Sequence, residues 1–130
     1  MMERRETRDP DVSIFIGRSL WSVQIGPGNV VLNFCLPAAP GQATPHTSIS
    51  IDGAYCVRAH GAESFGKGST PRSAVVLTDL LLKNVLTATI TSDRNLEMTF
   101  EDAMTLLIVR DNGGFESFQI HAPDGEYVFS

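Results

Sequence analysis

The glycine-rich segment from Gly61 to Thr70 holds the residue types closest to a chemical site in this chain. In a phosphate-binding loop, glycine amides and a lysine surround the phosphates, and a hydroxyl directly after the lysine holds magnesium. Lys67 fits this pattern, but Gly68 stands where the hydroxyl should be. The antiparallel patterns elsewhere also leave little room for a parallel nucleotide-binding sheet. We therefore expect a flexible polar loop, with a small-molecule or nucleotide site, or a minor enzyme, as the alternative.

The histidines are the next candidates for metal binding or general base catalysis. His46 lies in a proline-rich loop, and His60 and His121 lie at the ends of predicted strands. They have neither the His-x-x-x-His spacing nor the Cys-x-x-Cys companion typical of zinc sites. The Gly-x-Ser-x-Gly elbow of serine hydrolases does not occur in the sequence either. We therefore expect no catalytic residue, no metal and no cofactor.

Carboxylates are the most abundant charged groups near the end of the chain. Between Asp93 and Ser130, only Arg94 and Arg110 oppose a run of acidic residues, and the whole chain carries a net charge of −5. Paired carboxylates such as Glu97 and Glu101 can do acid/base work when one is desolvated. Here they alternate with apolar residues, which favours a solvent-exposed face. Solubility is one interpretation of this acidic face, and contact with a basic protein is the other.

The predicted partner-binding residues are these acids and one aromatic residue, because aromatic side chains often dominate protein interfaces. They are Glu97, Glu101, Asp102, Asp111, Phe115 and Glu116. The sequence has no basic patch that could displace counterions from phosphates, so we expect no nucleic-acid partner. A homodimer is a further possibility.

Composition indicates one small cytoplasmic domain. With 130 residues the chain is long enough for one hydrophobic core. No apolar run is long enough to span a membrane, and the charged start does not resemble a signal peptide. We expect a disordered tail over residues 1–11 and a single β-rich domain over 12–130. Cys35 and Cys56 lie among apolar residues and are predicted to be buried free thiols.

Strict alternation of apolar and polar residues predicts antiparallel hairpins. In one hairpin, Leu96, Met98 and Phe100 alternate with polar residues after a turn near Asp93. In an earlier hairpin, the alternation places Trp21 on the core face with Val23 and Ile25. Apolar pairs four residues apart predict the only helix over residues 71–83. The predicted class is mainly β with one short helix (α+β).

The two hairpins also resemble each other. Leu20 aligns with Leu86, and the same offset aligns three further pairs: Asn29 with Asn95, Leu32 with Met98, and Phe34 with Phe100. The pattern predicts an antiparallel meander of about eight strands, as two duplicated four-strand units that form a barrel or a sandwich.

Two stretches resemble a family of small uncharacterised bacterial domains. The first is residues 95–106, which matches a Leu-x-Leu-x-Phe-x-Asp-Gly pattern with Ala103 in place of the glycine. The second is residues 115–120, which matches Tyr-Glu-x-Trp-x-Ile with Phe115 and Phe118 as the aromatic residues. Small acidic bacterial domains of this kind look like immunity proteins, which bind and silence a toxin. The resemblance implies a non-enzymatic protein that occludes a basic toxin domain, and it implies no catalytic residues.

Overall fold

The computed structural model describes residues 10–36, 47–110 and 117–130, and in them the chain forms two antiparallel five-stranded sheets. The first sheet has the order β1-β2-β3-β9-β10 and the second has the order β5-β4-β8-β7-β6. The ten strands are β1 (Ser19–Ile25), β2 (Val30–Cys35), β3 (Thr47–Ile51), β4 (Ala54–Ala59), β5 (Ala62–Lys67), β6 (Val85–Ile90), β7 (Leu96–Phe100), β8 (Met104–Ile108), β9 (Phe118–Ala122) and β10 (Gly125–Phe129). The predicted class is confirmed, and the sheets do not close into a barrel.

The core lies between the two sheets. Val30, Leu32 and Phe34 of β2 are buried at every second position, and β7 repeats this pattern from Leu96 to Phe100. Buried residues of both sheets belong to a single hydrophobic cluster. The alternation of apolar and polar residues therefore arises as predicted, because each strand has one face in the core and the other on the surface.

The predicted helix over 71–83 is instead a 3₁₀ helix that spans Pro71–Leu80. Its buried residues are Ala74, Leu77 and Leu80, which recur every third position. A 3₁₀ helix has about 3.0 residues per turn, so this spacing forms one apolar face, whereas the four-residue spacing that we expected does not. Pro71 begins the helix, where its missing N–H costs no hydrogen bond.

The predicted flexible loop at Gly61 to Thr70 is wrong, because most of it is strand β5, which pairs antiparallel with β4. Two of its glycines allow close packing. A Cβ atom on Gly66 would lie 2.5 Å from the ring of Tyr55, and one on Gly68 would lie 2.1 Å from the carbonyl oxygen of Ile51. The glycines are therefore needed for a strand and a tight connection rather than for a phosphate cradle.

The predicted burial of Trp21 is also wrong. The pairing of β1 with β2 shifts register between Leu20 and Ser22, so Trp21 is an extra residue at a β-bulge. A bulge reverses the alternation beyond it. Leu20 and Val23 therefore face the core, and the side chain of Trp21 is 64% exposed.

The topology repeats itself across the chain. Strands β1, β2 and β3 form a meander in the first sheet, and the β4–β5 hairpin then crosses to the second sheet. Strands β6, β7 and β8 form a meander in the second sheet, and the β9–β10 hairpin crosses to the first. Each repeat therefore contains five strands, rather than the four that the sequence predicted, and each hairpin pairs with the meander of the other repeat.

The two repeats meet along a short backbone ladder, which we call the seam, formed by residues 17–20 and 82–85. Its hydrogen bonds come in two corresponding pairs: Gly17 N to Val85 O (2.9 Å) with Leu82 N to Leu20 O (2.8 Å), and Val85 N to Arg18 O (2.8 Å) with Leu20 N to Lys83 O (3.3 Å). Ser19 bridges Asn84 at the centre. The reciprocity of these bonds relates the repeats by an approximate twofold axis.

This correspondence corrects the alignment of the first strands. Leu20 corresponds to Val85, since both are buried and make equivalent bonds, and exposed Trp21 corresponds to exposed Leu86. Leu86 also lies at a register shift, between β6 and β7. The pairs Leu32–Met98 and Phe34–Phe100 in the following strands agree with the predicted alignment.

Leu82 occupies a backbone conformation that its counterpart fills with glycine. Its φ is +68°, and that of Gly17 is +85°. We expect Leu82→Gly to raise the free energy of unfolding by about 1 kcal/mol. The reason is that the left-handed backbone conformation costs a residue with a Cβ atom about this much conformational free energy, and glycine avoids that cost. Chemical denaturation measures the change. Leu82→Ala is the control, since it removes the exposed side chain but keeps the Cβ, and an equal gain in that variant would contradict the explanation.

The predicted tail falls mostly on residues 1–9, which lie outside the described residues. The carboxylate of Asp11 accepts bonds from the amide and hydroxyl of Ser13 and caps the 3₁₀ turn Val12–Phe15. These bonds lower the pKa of Asp11. Among the described residues, no helix is long and apolar enough to cross a membrane.

Candidate partner-binding site

Large apolar side chains are exposed on both sides of the seam. The four of them, which we call the seam patch, are Ile16 (46%), Trp21 (64%), Leu82 (66%) and Leu86 (54%). Single exposed apolar residues are ordinary, but a group of them around one element often marks an interaction site. The patch lies where the two sheets are joined by the backbone bonds between residues 17–20 and 82–85.

The local backbone holds these side chains outside. Trp21 directly follows buried Leu20, and Leu86 directly follows buried Val85, so both point away from the core. The bulges at these two positions fix that orientation. Leu82 lies at positive φ, while its amide donates to the carbonyl of Leu20. The exposed side chains therefore belong to residues whose backbone is held in place by hydrogen bonds and bulges.

Two of the predicted acidic residues lie beside the seam. Glu101 accepts a 2.8 Å bond from the amide of Asn84, and its own amide donates to the Asn84 carbonyl at 3.0 Å. Asp102 forms a salt bridge with Lys83. The hydrogen bond from Lys83, and then its charge, lower the pKa of Asp102, and the same contact raises the pKa of Lys83. Both groups therefore stay charged at neutral pH.

A cleft of about 680 Å³ continues from Lys83 and Asp102. His60 and Asp79 line it together with that pair. His60, Asp102 and Ala103 have φ values of +55°, +65° and +59°. Strained backbone often persists at functional sites, where the surrounding structure holds it in place. The cleft adds charged hydrogen-bonding groups to one side of the apolar seam patch.

The other predicted partner-binding residues are not brought together with these. Glu97 lies on the outer face of the second sheet, with its backbone paired to Thr89 and Leu107. Another acid from the same stretch, Glu126, lies on β10 of the first sheet, with its carboxylate 3.2 Å from His121 Nδ1. The acidic stretch is thus divided between the two sheets. Asp111, Phe115 and Glu116 lie outside the described residues.

The remaining candidates for chemistry are dispersed. His60 follows β4 and His121 lies on β9, whereas His46 lies outside the described residues. Across residues 10–36, 47–110 and 117–130, no group of His, Cys, Asp and Glu side chains could hold a metal ion. Most of the glycine segment is the extended edge strand β5, which pairs antiparallel with β4, so its backbone does not form the curved loop of a phosphate-binding site.

Both cysteines are free thiols, as the sequence predicted, but the predicted burial is confirmed only for Cys56, because Cys35 is half-buried. Desolvation, followed by the negative charge of Glu63, raises the pKa of the Cys56 thiol. Because the thiolate is the reactive form, Cys56 is held in its unreactive state at neutral pH.

The fold and the site define a two-sheet antiparallel β protein with an apolar patch at the joint of its repeats, flanked by a charged cleft. In comparisons with known proteins, no family model, curated protein or solved structure matches the chain. Sequence reasoning selected Glu101 and Asp102, which lie beside the seam, but it assigned Trp21 to the core and did not select Leu82. Three consecutive leucines, Leu80 to Leu82, were an available signal, because three neighbouring side chains cannot all face one core.

Proposed function

We propose that this protein is a non-enzymatic binding module that contacts a protein partner through the seam patch. The exposure of Trp21, held outward by a bulge, is the observation that carries the proposal. Tryptophan is among the residues most enriched in interface hot spots, and a rigid backbone lowers the entropic cost of binding. Leu82 and Leu86 are also exposed at the seam and add apolar surface to it.

The charge of the chain favours a basic partner. Its net charge is −5, and beside the seam the acids Asp79, Glu101 and Asp102 outnumber Lys83, the cation that pairs with Asp102. Acidic groups at the rim of an interface accelerate association with a basic surface and exclude acidic competitors. An apolar centre with an acidic rim is therefore suited to a protein with an exposed apolar group inside a basic surface.

The more specific proposal is that of an immunity protein, which binds a basic toxin domain and occludes its active site. The resemblance of residues 95–106 and 115–120 to small bacterial domains supports it. So does the position of Glu101 and Asp102, which belong to the first of these stretches, next to the seam patch.

The test uses the product of a toxin-like reading frame next to the gene of this protein. We expect the protein to restore growth of cells that express this toxin and to bind it in calorimetry. Trp21→Ala should weaken binding by about 30-fold, because truncation of a hot-spot residue costs about 2 kcal/mol. Phe65→Ala is the matched control, since Phe65 is equally exposed but lies on β5, away from the seam.

The charged rim is tested separately in the same assay. Asp102→Lys should slow association and make it less sensitive to salt, because rim charges act mainly on the association rate. If the toxin is not neutralised, the immunity function is wrong. If it is neutralised while Trp21→Ala and Phe65→Ala bind equally well, the seam patch is not the contact surface.

A further inference from the structure

A second cavity, of about 380 Å³, lies between the edge of β5 and the start of the 3₁₀ helix. We call it the β5 slot, and its walls include Tyr55, Phe65, Gly66, Lys67, Thr70 and Ser73. Cavities of this size hold small ligands in many proteins. None of these residues belongs to the seam patch.

Strand β5 carries an aromatic residue, Phe65, and a cation, Lys67. The corresponding edge strand of the other repeat, β10, has smaller residues at these positions. Phe65 pairs with Cys56 on β4, and the corresponding pair on β10 and β9 is Val128 with Gln119. By the same register, Lys67 corresponds to Ser130. Phe65 is 70% exposed, so its ring is not needed to complete the core. This difference between repeats points to a role for the edge other than folding.

The slot also offers polar groups without protein partners. In the described parts of the chain, the ammonium group of Lys67 has no carboxylate partner; the ion pairs there are Arg58–Glu63, Lys83–Asp102 and His121–Glu126. Thr70 precedes the 3₁₀ helix, but its hydroxyl makes no capping bond. A cation and a hydroxyl donor in the same cavity suit an anionic group.

The walls of the slot are fixed by hydrogen bonds. Ser73 Oγ accepts from the amide of Lys67 at 3.0 Å and donates toward carbonyl oxygens of Lys67 and Thr70 at 3.1 and 2.7 Å. The hydroxyl of Tyr55 lies 3.2 Å from the same Ser73 oxygen. The amide of Gly68 donates to the Gly53 carbonyl at 2.8 Å. A preformed cavity loses less conformational entropy on binding than a flexible loop does.

We propose that the β5 slot binds a small aromatic anion, with its ring against Phe65 and its anionic group at Lys67 and Thr70. The slot combines an apolar wall with a few convergent polar groups, which is typical of small-molecule sites. The site is independent of the seam patch and does not rest on the proposed protein partner.

The test is a titration of the whole chain with benzoate, followed by amide NMR, with uncharged benzamide as the matched ligand. We expect saturable shifts at Gly66, Lys67 and Thr70, with a dissociation constant on the order of 1 mM. Benzamide should bind at least about tenfold more weakly, because it lacks the charge that pairs with Lys67.

Two variants identify the site. Lys67→Gln and Phe65→Ala should each weaken benzoate binding by about tenfold, whereas Arg94→Gln, which removes a cation outside the slot, should leave it unchanged. Well-dispersed spectra confirm that each variant is folded. Equal binding of benzamide, shifts confined to other residues, or an unchanged affinity in Lys67→Gln would each overturn the proposal.

Discussion

Replacement of Gly68 by alanine is expected to lower the free energy of unfolding by about 3 kcal/mol or more. The new Cβ would lie 2.1 Å from the carbonyl oxygen of Ile51, 2.8 Å from its carbonyl carbon and 2.9 Å from that of Asp52. These are backbone atoms at the end of β3, so no side chain can rotate away to make room. Relief of the overlap requires movement of the connection between β5 and the 3₁₀ helix, which the bond from Gly68 to Gly53 fixes.

Thermal unfolding should show this loss as a melting temperature lower by about 10 °C. Gly28→Ala is the matched control, because a Cβ there meets no atom within 4 Å and the backbone is not at positive φ. That variant should stay within about 0.5 kcal/mol of the wild-type protein. A Gly68→Ala protein as stable as the Gly28→Ala protein would show that β3 and β5 are not packed as described.

Gly66→Ala is expected to cost about 2 kcal/mol for a different reason. Here the new Cβ would lie 2.5 to 2.6 Å from the ring atoms and hydroxyl of Tyr55, a buried side chain. The ring would have to move, and its contact with Ser73 would be lost. The cause is therefore one side chain rather than the backbone.

A double-mutant cycle distinguishes the overlap with Tyr55 from a general destabilisation of β5 by alanine. In the Tyr55→Leu background the overlap is gone, so Gly66→Ala should become neutral or stabilising by about 0.5 kcal/mol, since alanine restricts the unfolded chain more than glycine does. Urea denaturation of the four proteins measures the coupling. Additive effects of the two substitutions would contradict the contact.

The hairpins could be predicted because their signal is local. Leu96, Met98 and Phe100 alternate with polar residues, and a period of two determines which face is buried without knowledge of the rest of the chain. The type of helix was harder to predict, because the segment contains both apolar pairs four residues apart and the three-residue series Ala74, Leu77 and Leu80, and only the packing shows which set is buried. Strand β5 was missed because Gly66 and Gly68 are typical of loops, and their packing against Tyr55 and Ile51 depends on distant residues.

The candidate site was only half predictable. Charge is visible in composition, so Glu101 and Asp102 were selected, but their neighbours across the seam could not be known from spacing. Trp21 was assigned to the core because one extra residue reverses the alternation, and a bulge is a property of two paired strands rather than of one. Glu97 was grouped with them because it is close in sequence, but it lies near the start of β7, whereas Glu101 and Asp102 follow the end of that strand at the seam.

The exchange of hairpins between the repeats has a consequence for how the protein unfolds. Without β9 and β10, the first meander would lose the neighbour of β3, and without β4 and β5 the second would lose that of β8. Neither half can complete a sheet from its own residues. The two halves are interlocked in the manner of a domain-swapped dimer joined by a linker, and melting of one removes the support of the other, so a single cooperative transition follows.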